Sequence, residues 1–169
     1  LKIVYTPLHG TGNIPVRRIL SDYAVSVVEE QAVPDGNFST VRSPNPEEKD
    51  ALNLAIEQAK TEAADLVLGT DPDCDRVGIA VRHNGDYVLL TGNQVGALLA
   101  DFVLRFKADT LNEKSTLVKT IVTNDLGANI GRKYGLQIVE TLTGFKYIGD
   151  QINRYEKTGE KEFVMGYEE

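Results

Sequence analysis

Three aspartates at alternate positions dominate the chemistry that this sequence could perform. Asp71, Asp73 and Asp75 lie in the segment GTDPDCDR (69–76), which follows a short apolar run and ends in Arg76. In an extended backbone the side chains at i, i+2 and i+4 project to the same side, so these carboxylates are expected to converge on one point. Three oxygen donors suit a hard divalent cation, and we predict that the cation is Mg²⁺.

Arg76 directly follows the last aspartate, and an arginine cannot act as a metal ligand. Its planar guanidinium binds phosphate through two parallel hydrogen bonds. We therefore predict that Arg76 contacts a phosphoryl group held by the metal on its other side, rather than forming a salt bridge with the acids. The alternative is a solvated acidic turn, in which Asp71-Pro72 simply starts a loop.

Two other metal-dependent patterns fit the acidic segment less well. An EF-hand loop counted from Asp71 requires glycine at the position of Arg76 and glutamate at the position of Arg82, and the sequence has neither. A phosphatase of the haloacid dehalogenase type remains an alternative, because its acids also follow a buried strand and the first of them is a nucleophile. That alternative makes Asp71 the nucleophile and leaves Asp75 and Arg76 without a role.

Strand-like and helix-like segments alternate along the chain. KIVYT (2–6) is the first of several short runs rich in β-branched or aromatic residues, each followed by a turn or by helical spacing. His83-Asn84-Gly85-Asp86 lies between two strand-like runs and predicts a hairpin. The alternation predicts an α/β fold made of two tandem three-layer units, with mostly parallel mixed sheets and crossover helices. A boundary near residues 86 to 92 divides the chain into domains 1–88 and 89–169.

Local signals also predict where helices begin and which residues face inward. One helix is expected to begin at Pro15, with Val16, Ile19 and Leu20 on one face. Asn45 is expected to cap the next helix, with Pro46 at its first position. The spacing predicts an apolar face for this helix made of Leu52, Ala55, Ile56 and Ala59. For the helix GNQVGALLADFVLRF (92–106), the spacing predicts an inward face of Val95, Leu98, Leu99, Phe102 and Val103.

The loops after the predicted strands hold nearly all of the conspicuous polar residues. Ligands of open α/β sheets bind outside the carboxyl ends of the strands, so a site is expected among these loops: TPLHGTG, GTDPDCDR, TNDLG, LTGFK and GYEE. Lys146 falls in the first turn of a helix, where a cation opposes the dipole and hints at an anionic partner, although an exposed lysine is an equal alternative. The glycines after His9 are only a weak anion-binding signal, and His9 either touches a ligand or bonds locally.

Composition excludes several classes of protein. The net charge of −7 argues against nucleic acid as a partner, and the longest apolar runs are too short to span a membrane. The single cysteine, Cys74, rules out an internal disulfide framework and fits a reducing cytoplasm. The chain begins at Leu1 inside a strand pattern and stops just after another, so we expect a piece of a longer protein.

The order of these motifs is similar to that of a known family. TPLHGTG, SPNPEE, GTDPDCDR, TGFKYIG and GYEE follow one another as they do in the second and third domains of the α-D-phosphohexomutase superfamily, specifically of the phosphoglucomutase and phosphomannomutase type. The resemblance covers essentially the whole chain. The acidic segment is its most specific part, and GYEE is its least specific part.

The resemblance implies a reaction and a set of residue roles. Enzymes of this family carry a phosphoserine in their first domain, and a magnesium ion is held by aspartates that match Asp71, Asp73 and Asp75. The arginine that matches Arg76 lies close to the phosphoryl group. This group passes to a sugar monophosphate, and the resulting bisphosphate returns its other phosphate to the serine. The sugar is then expected to be bound by Thr143, Gly144, Lys146 and Glu168.

The resemblance also has gaps that bear on activity. No serine of this chain has the Ser-His context of the family nucleophile, and the first and fourth domains of the family are absent. We therefore expect that the chain belongs to an intramolecular phosphotransferase but does not turn over alone. Two alternatives remain, a Mg²⁺-dependent phosphatase or phosphotransferase and a non-catalytic module that binds sugar phosphate.

Overall fold

The computed structural model describes all residues from Leu1 to Glu169 and contains five α-helices and eight β-strands. The strands are β1 (Lys2–Thr6), β2 (Ala24–Val27), β3 (Leu66–Thr70), β4 (Val77–His83), β5 (Asp86–Leu90), β6 (Ser115–Thr120), β7 (Gln137–Thr141) and β8 (Glu162–Tyr167). The helices are α1 (Asn13–Ile19), α2 (Lys49–Glu62), α3 (Gly92–Phe106), α4 (Asp125–Lys133) and α5 (Phe145–Thr158). The chain divides into two compact units, Leu1–Thr91 and Gly92–Glu169. None of the helices combines the length and the apolar character that crossing a bilayer would require.

The first unit contains a mixed sheet of five strands in the order β2-β1-β3-β4-β5. The pairs β2-β1 and β1-β3 are parallel, whereas β4 and β5 form an antiparallel extension of the sheet. The hairpin between β4 and β5 turns at Asn84 and Gly85, both with positive φ (51° and 86°), as the Asn-Gly pair predicts.

Helices cover both faces of this sheet. The apolar face of α2, predicted from its spacing, is buried against strand residues that include Val4, Val67 and Ala80. On the opposite face, Tyr5 and Val27 form a smaller cluster to which Val16 of α1 contributes. The acidic segment follows β3 directly, so it lies at the same edge of the sheet as the loop that follows the parallel strand β1.

The second unit contains a fully parallel sheet of three strands in the order β7-β6-β8. One face packs against α3 and α4 through a cluster that includes Leu104, Leu117 and Tyr167. The other face packs against α5 through Val118 and Ile148. The predicted α/β class, with mostly parallel strands and crossover helices, is confirmed, and the loops after β6, β7 and β8 meet at one edge of their sheet.

Two predicted helix starts are wrong by a few residues. Helix α1 begins at Asn13, so Pro15 is its third residue, and Ile19 is exposed rather than inward. Proline fits anywhere in a first turn, because the N–H groups there have no acceptor within the helix. Asn45 accepts a hydrogen bond from the Glu47 N–H at 3.1 Å and so organises a turn, and α2 begins four residues after Asn45, at Lys49.

The predicted inward face of α3 is wrong for three of its five residues, whereas Val95 is buried and Val103 is partly buried. Leu98, Leu99 and Phe102 are exposed, whereas the buried residues of the helix are Val95, Gly96, Ala97, Ala100 and Leu104. The reason is the ring of Tyr167, which packs directly against Gly96. A Cβ atom at Gly96 would lie 2.5 Å from Cδ2 of that ring, so the helix presents its small residues to the sheet.

We predict opposite effects for two glycine-to-alanine substitutions within helices of this unit. Gly149→Ala in α5 should stabilise the fold by about 0.5–1 kcal/mol, because alanine favours helix and a Cβ there meets nothing within 4 Å. Gly96→Ala in α3 should destabilise it by about 1–3 kcal/mol, because the methyl group overlaps the Tyr167 ring. Urea unfolding followed by circular dichroism measures both. Equal stabilisation by the two variants would contradict the packing described for Tyr167.

Candidate functional site

The three aspartates converge, although not for the reason that their spacing suggested. Their nearest carboxylate oxygens all lie within 4.8 Å of one another, with Asp71 buried and Asp73 and Asp75 exposed. The segment is a turn rather than an extended strand: Cys74 N–H donates to the Asp71 carbonyl at 3.0 Å, and Cys74 has a φ of 65°. The turn wraps the exposed carboxylates around the buried one.

Arg76 forms the salt bridge that the sequence analysis argued against. Its backbone N–H donates to Oδ1 of Asp71 at 2.9 Å, and its Nε donates to Oδ2 of the same carboxylate at 2.9 Å. A weaker approach joins Nε to Asp75 Oδ1 at 3.8 Å. Asp71 is fully buried and Arg76 is half-exposed, so the arginine compensates a carboxylate that has lost its water.

The electrostatics distinguish Asp71, whose negative charge is stabilised, from Asp75, whose negative charge is disfavoured. Burial raises the pKa of Asp71, but the hydrogen bonds from Arg76 lower it by more, so this carboxyl stays ionised below its usual range. For Asp75 the pKa is raised, first by burial and then by the negative charges of Asp71 and Asp73. The single guanidinium therefore does not neutralise the cluster, and a cation would relieve the remaining repulsion.

The loop after β1 supports the acidic turn from one side. Thr11 donates its backbone N–H to the Pro72 carbonyl at 2.9 Å, and its hydroxyl lies 3.2 Å from the same oxygen. Gly10 lies so close to Pro72 that a Cβ there would be 2.5 Å from that carbonyl oxygen. Gly10, the first of the two glycines of TPLHGTG, thus permits close packing between the two loops.

His9 bonds locally, which was one of its two sequence interpretations. The residue is buried, and its Nδ1 lies 2.9 Å from the Val33 carbonyl, which can only accept a hydrogen bond. Nδ1 therefore carries a proton, and Nε2 contacts the Thr40 hydroxyl at 2.8 Å. With both nitrogens engaged, His9 anchors the loop after β1 to the segment that follows β2.

The second unit brings two of the four predicted sugar-contact residues together. The Gly144 N–H donates to Oε2 of Glu168 at 2.7 Å, which joins the loop after β7 to the loop after β8. Gly144 has a φ of 121°, a backbone conformation that residues other than glycine rarely adopt. Thr143 and Lys146 are exposed beside this contact, and Lys146 Nζ lies 4.9 Å from the centre of the Tyr147 ring.

Residues that the sequence analysis passed over organise the same edge of the second unit. Lys119 is buried near the end of β6 and donates to the Thr123 carbonyl at 2.8 Å. The Thr123 hydroxyl in turn accepts from the Glu169 N–H at 3.2 Å. Asn93 contacts both the Asn124 N–H and the Glu169 carboxylate. A lysine within a strand segment of otherwise uncharged residues, STLVKT (115–120), was the one signal that could have drawn attention to this cluster.

Comparison with known proteins identifies the family. Residues 1–85 match the family model described as phosphoglucomutase/phosphomannomutase, alpha/beta/alpha domain II, and residues 91–169 match the model for domain III. A phosphoglucomutase from Staphylococcus haemolyticus is 40% identical over the whole chain, and a phosphomannomutase from Mycoplasmoides pirum is 36% identical over 99% of it. The chain therefore belongs to the phosphoglucomutase/phosphomannomutase family, which confirms the resemblance read from its motifs.

Solved structures of similar proteins have the same fold as this chain. The sequence matches also show what fraction of each relative the chain covers. A phosphoglucomutase/phosphomannomutase family protein from Burkholderia thailandensis has a TM-score of 0.73 over 91% of the chain at 21% identity. A phosphoglucomutase from Paramecium, parafusin, has a TM-score of 0.65 over 91% of the chain at 19% identity. The chain spans only 31% of the Staphylococcus haemolyticus relative and 30% of the Mycoplasmoides pirum relative.

We predict that Arg76→Met destabilises the metal-free protein by about 1–3 kcal/mol at pH 7, because it leaves the Asp71 charge buried without its partner. Asp71 has a lowered pKa in the folded protein, so the stability from this pair is present above the unfolded pKa of about 3.9 and is lost as the pH falls through the lower folded value. Urea unfolding at pH 7 and at successively lower pH should show the difference between the proteins shrink.

Arg82→Met provides the matched control for this prediction. A terminal guanidinium nitrogen of Arg82 lies 3.6 Å from Oδ1 of Asp65, but both side chains are about half exposed. Removing this arginine should therefore lower the free energy of unfolding by no more than about 1 kcal/mol. An equal decrease in the free energy of unfolding for the two arginine variants at pH 7 would contradict the prediction. It would show that the buried Asp71 ion pair contributes no more stability than the exposed pair of Arg82 and Asp65.

Proposed function

We propose that the chain serves as two domains of a longer phosphohexomutase, which moves a phosphoryl group between the 1- and 6-positions of a hexose phosphate. The observation that carries this proposal is the convergence of three carboxylates and an arginine on one turn after β3, in a member of the phosphoglucomutase/phosphomannomutase family. The proposed domains are residues 1–88, with the acidic turn, and residues 89–169, with the sugar-binding loops. A phosphoserine in another domain and a bisphosphate intermediate complete the proposed reaction.

The acidic turn has the donor chemistry of a Mg²⁺ site. Asp71, Asp73 and Asp75 offer oxygen ligands within 4.8 Å of one another, and hard cations of this kind prefer carboxylate oxygens. Burial and the negative charges of Asp71 and Asp73 raise the pKa of Asp75, so a bound cation would relieve repulsion there. When bound, the ion would neutralise charge on the transferring phosphoryl group.

Arg76 has a double role in this proposal. Its contacts with Asp71 and Asp75 both use Nε, one of five N–H donors of a guanidinium, so its four terminal donors lie outside these ion pairs. The half-exposed side chain can therefore bind an anionic oxygen while Asp71 holds it in one orientation. Phosphoryl transfer depends mainly on such charge stabilisation and positioning. Arg76 accordingly orients the phosphoryl group, and the buried carboxylate orients Arg76.

The second unit supplies the proposed sugar contacts. Glu168 uses one carboxylate oxygen to accept from the Gly144 N–H, which fixes its orientation and leaves its remaining acceptor capacity for ring hydroxyls. Thr143 and Lys146 are exposed on either side of Gly144 in the chain, and in this proposal their hydroxyl and ammonium groups contact the same ligand as Glu168. The single cysteine is in keeping with the cytoplasmic location that we propose for this enzyme.

The alternative with Asp71 as a nucleophile is not favoured by the geometry. A nucleophilic carboxylate needs an accessible oxygen, whereas Asp71 is fully buried and both of its oxygens accept hydrogen bonds from Arg76. A beryllofluoride adduct at Asp71 would restore that alternative. Saturable binding of glucose 1-phosphate by a full-length protein with no turnover would instead support a non-catalytic module.

The decisive experiment measures interconversion of glucose 1-phosphate and glucose 6-phosphate by the longer protein that contains this chain. We expect turnover that depends on Mg²⁺ and on a catalytic amount of the bisphosphate, and no turnover by residues 1–169 alone. Glu168→Gln should lower kcat/KM by about tenfold or more, because one charge-assisted hydrogen bond to the sugar is weakened. Activity of the isolated chain, in a preparation free of host mutase, would contradict the proposed domain roles.

Metal binding tests the acidic turn separately. We predict that Asp75→Asn weakens Mg²⁺ binding by about tenfold or more, measured by calorimetric titration, because one anionic ligand is lost. Asp109→Asn is the matched control, since Asp109 is an exposed aspartate outside the cluster. Equal Mg²⁺ affinity for Asp75→Asn and the unmodified protein would remove Asp75 from the ligand set.

A further inference from the structure

The hydroxyl group of Tyr5 is a buried polar group next to the acidic turn, and the proposed reaction assigns it no role. Tyr5 is fully buried on β1, and its backbone pairs with that of Leu68 on the parallel strand β3. Because side chains alternate between the faces of a sheet, Thr70 lies on the same face as Leu68, two residues closer to the acidic turn. The Tyr5 side chain reaches along this face, and its hydroxyl lies 2.8 Å from that of Thr70.

Gly12 brings a second part of the acidic turn to the same place. A Cβ atom at Gly12 would lie 2.6 Å from the Tyr5 hydroxyl, 2.7 Å from the Thr70 hydroxyl and 2.8 Å from Sγ of Cys74. These three side-chain atoms therefore surround one point over the Gly12 backbone, which a larger residue would fill. The loop that follows β1 thus contacts both the strand end before the acidic turn and the middle of the turn.

The two residues that meet Gly12 are next to the aspartates in the chain. Thr70 is buried and immediately precedes Asp71, whereas Cys74 stands between the other two aspartates and donates its N–H to the Asp71 carbonyl at 3.0 Å. Burying a hydroxyl is unfavourable unless it is hydrogen-bonded, so Tyr5 and Thr70 hold each other in one arrangement. The hydrogen bond between them therefore restrains the backbone from which all three carboxylates project.

We propose that Tyr5 is a positioning residue for the candidate metal site, because its hydroxyl group fixes the strand end and the turn that carry the three aspartates. The inference rests on the proposed Mg²⁺ site, and Tyr5 acts through Thr70 and Cys74 without itself contacting the cation. Mg²⁺ requires nearly ideal octahedral geometry, whereas Ca²⁺ accepts irregular coordination. A turn that is held rigidly therefore favours Mg²⁺, and the Tyr5 hydroxyl contributes to that preference.

In the experiment, the longer protein that contains this chain is titrated calorimetrically with Mg²⁺ and, separately, with Ca²⁺. Tyr5→Phe keeps the aromatic ring and removes only the hydroxyl group. It should weaken Mg²⁺ binding by about three- to tenfold and Ca²⁺ binding by less than about twofold, because a loosened turn no longer holds octahedral geometry. Asp75→Asn identifies the heat that comes from this site. An unchanged ratio of the two affinities in Tyr5→Phe would overturn the proposal.

Tyr87→Phe is the matched control, since Tyr87 is a second buried tyrosine in the same sheet. Its hydroxyl contacts the carbonyl oxygens of Ala59 and Ala64, and neither of these residues belongs to the acidic turn. Tyr87→Phe should lower the free energy of unfolding, as Tyr5→Phe does, but should leave the Mg²⁺ and Ca²⁺ affinities unchanged. If Tyr5 had a merely structural role, the two variants would give this same result.

Substitutions of Thr70 test the same hydrogen bond from its other side, and they decide the question if Tyr5→Phe does not fold. Thr70→Val should weaken Mg²⁺ binding as Tyr5→Phe does, whereas Thr70→Ser keeps the hydroxyl group and should not. The variant that combines Tyr5→Phe with Thr70→Val should bind Mg²⁺ no more weakly than either single variant, because it leaves no unpaired hydroxyl behind. Strictly additive losses would show that the two hydroxyls act independently and would overturn the proposal.

Hydrogen exchange separates failure of this inference from failure of the proposed function. In the metal-free proteins, residues 71–76 should exchange faster in Tyr5→Phe and Thr70→Val than in the unmodified protein and in Tyr87→Phe, because two N–H groups of this segment donate to Asp71 within the turn. Absence of Mg²⁺ binding by the unmodified protein would reject the proposed metal site, while the exchange rates would still report whether Tyr5 orders the turn. Unchanged exchange in both variants, in a protein that binds Mg²⁺, would overturn the positioning role of Tyr5.

Discussion

The structure of the first unit depends on one buried negative charge. Asp71 follows a strand whose neighbours exclude water, and an ionised carboxylate there is tolerated only because the backbone and the guanidinium of Arg76 bond both of its oxygens. That requirement closes the turn, and the turn brings Asp73 and Asp75 to the buried carboxylate. The same interaction that stabilises the fold therefore assembles the candidate metal ligands and aims the arginine.

The second unit repeats this arrangement with the opposite sign. Lys119 lies near the end of a central parallel strand, and it is satisfied by partners on the neighbouring strand, on the following loop and at the start of a helix. Asp71 and Lys119 are the only buried acidic or basic side chains apart from His9. Both lie at the carboxyl edge of a sheet, where strands end and loop groups can bond a charge. The α/β architecture thus concentrates buried charge where ligands of such folds bind.

The sequence predicted the features that depend on local pattern. Strand order along the chain, the hairpin at Asn84 and Gly85, and the apolar face of α2 follow from periodicity and turn chemistry, and all are observed. The inward face of α3 could not be predicted in this way, because it is set by a tyrosine seventy-one residues away from Gly96. The Arg76 salt bridge was missed for a related reason: the spacing of the acids does not reveal that one of them is buried and the others are not.

Tyr167 shows why the edge that carries the proposed sugar contacts is the least predictable part of the molecule. Its ring packs against Gly96 of α3 and its hydroxyl group lies over Gly127 of α4, so side chains at either glycine would displace it. Glu168 is the next residue along the chain, and its carboxylate accepts a hydrogen bond from the Gly144 N–H. Gly96 and Gly127 therefore help to determine where the carboxylate of the proposed sugar-binding residue Glu168 points. In the sequence these glycines are recognisable only as weak helix formers. The structure shows that a Cβ atom at either position would overlap the side chain of Tyr167.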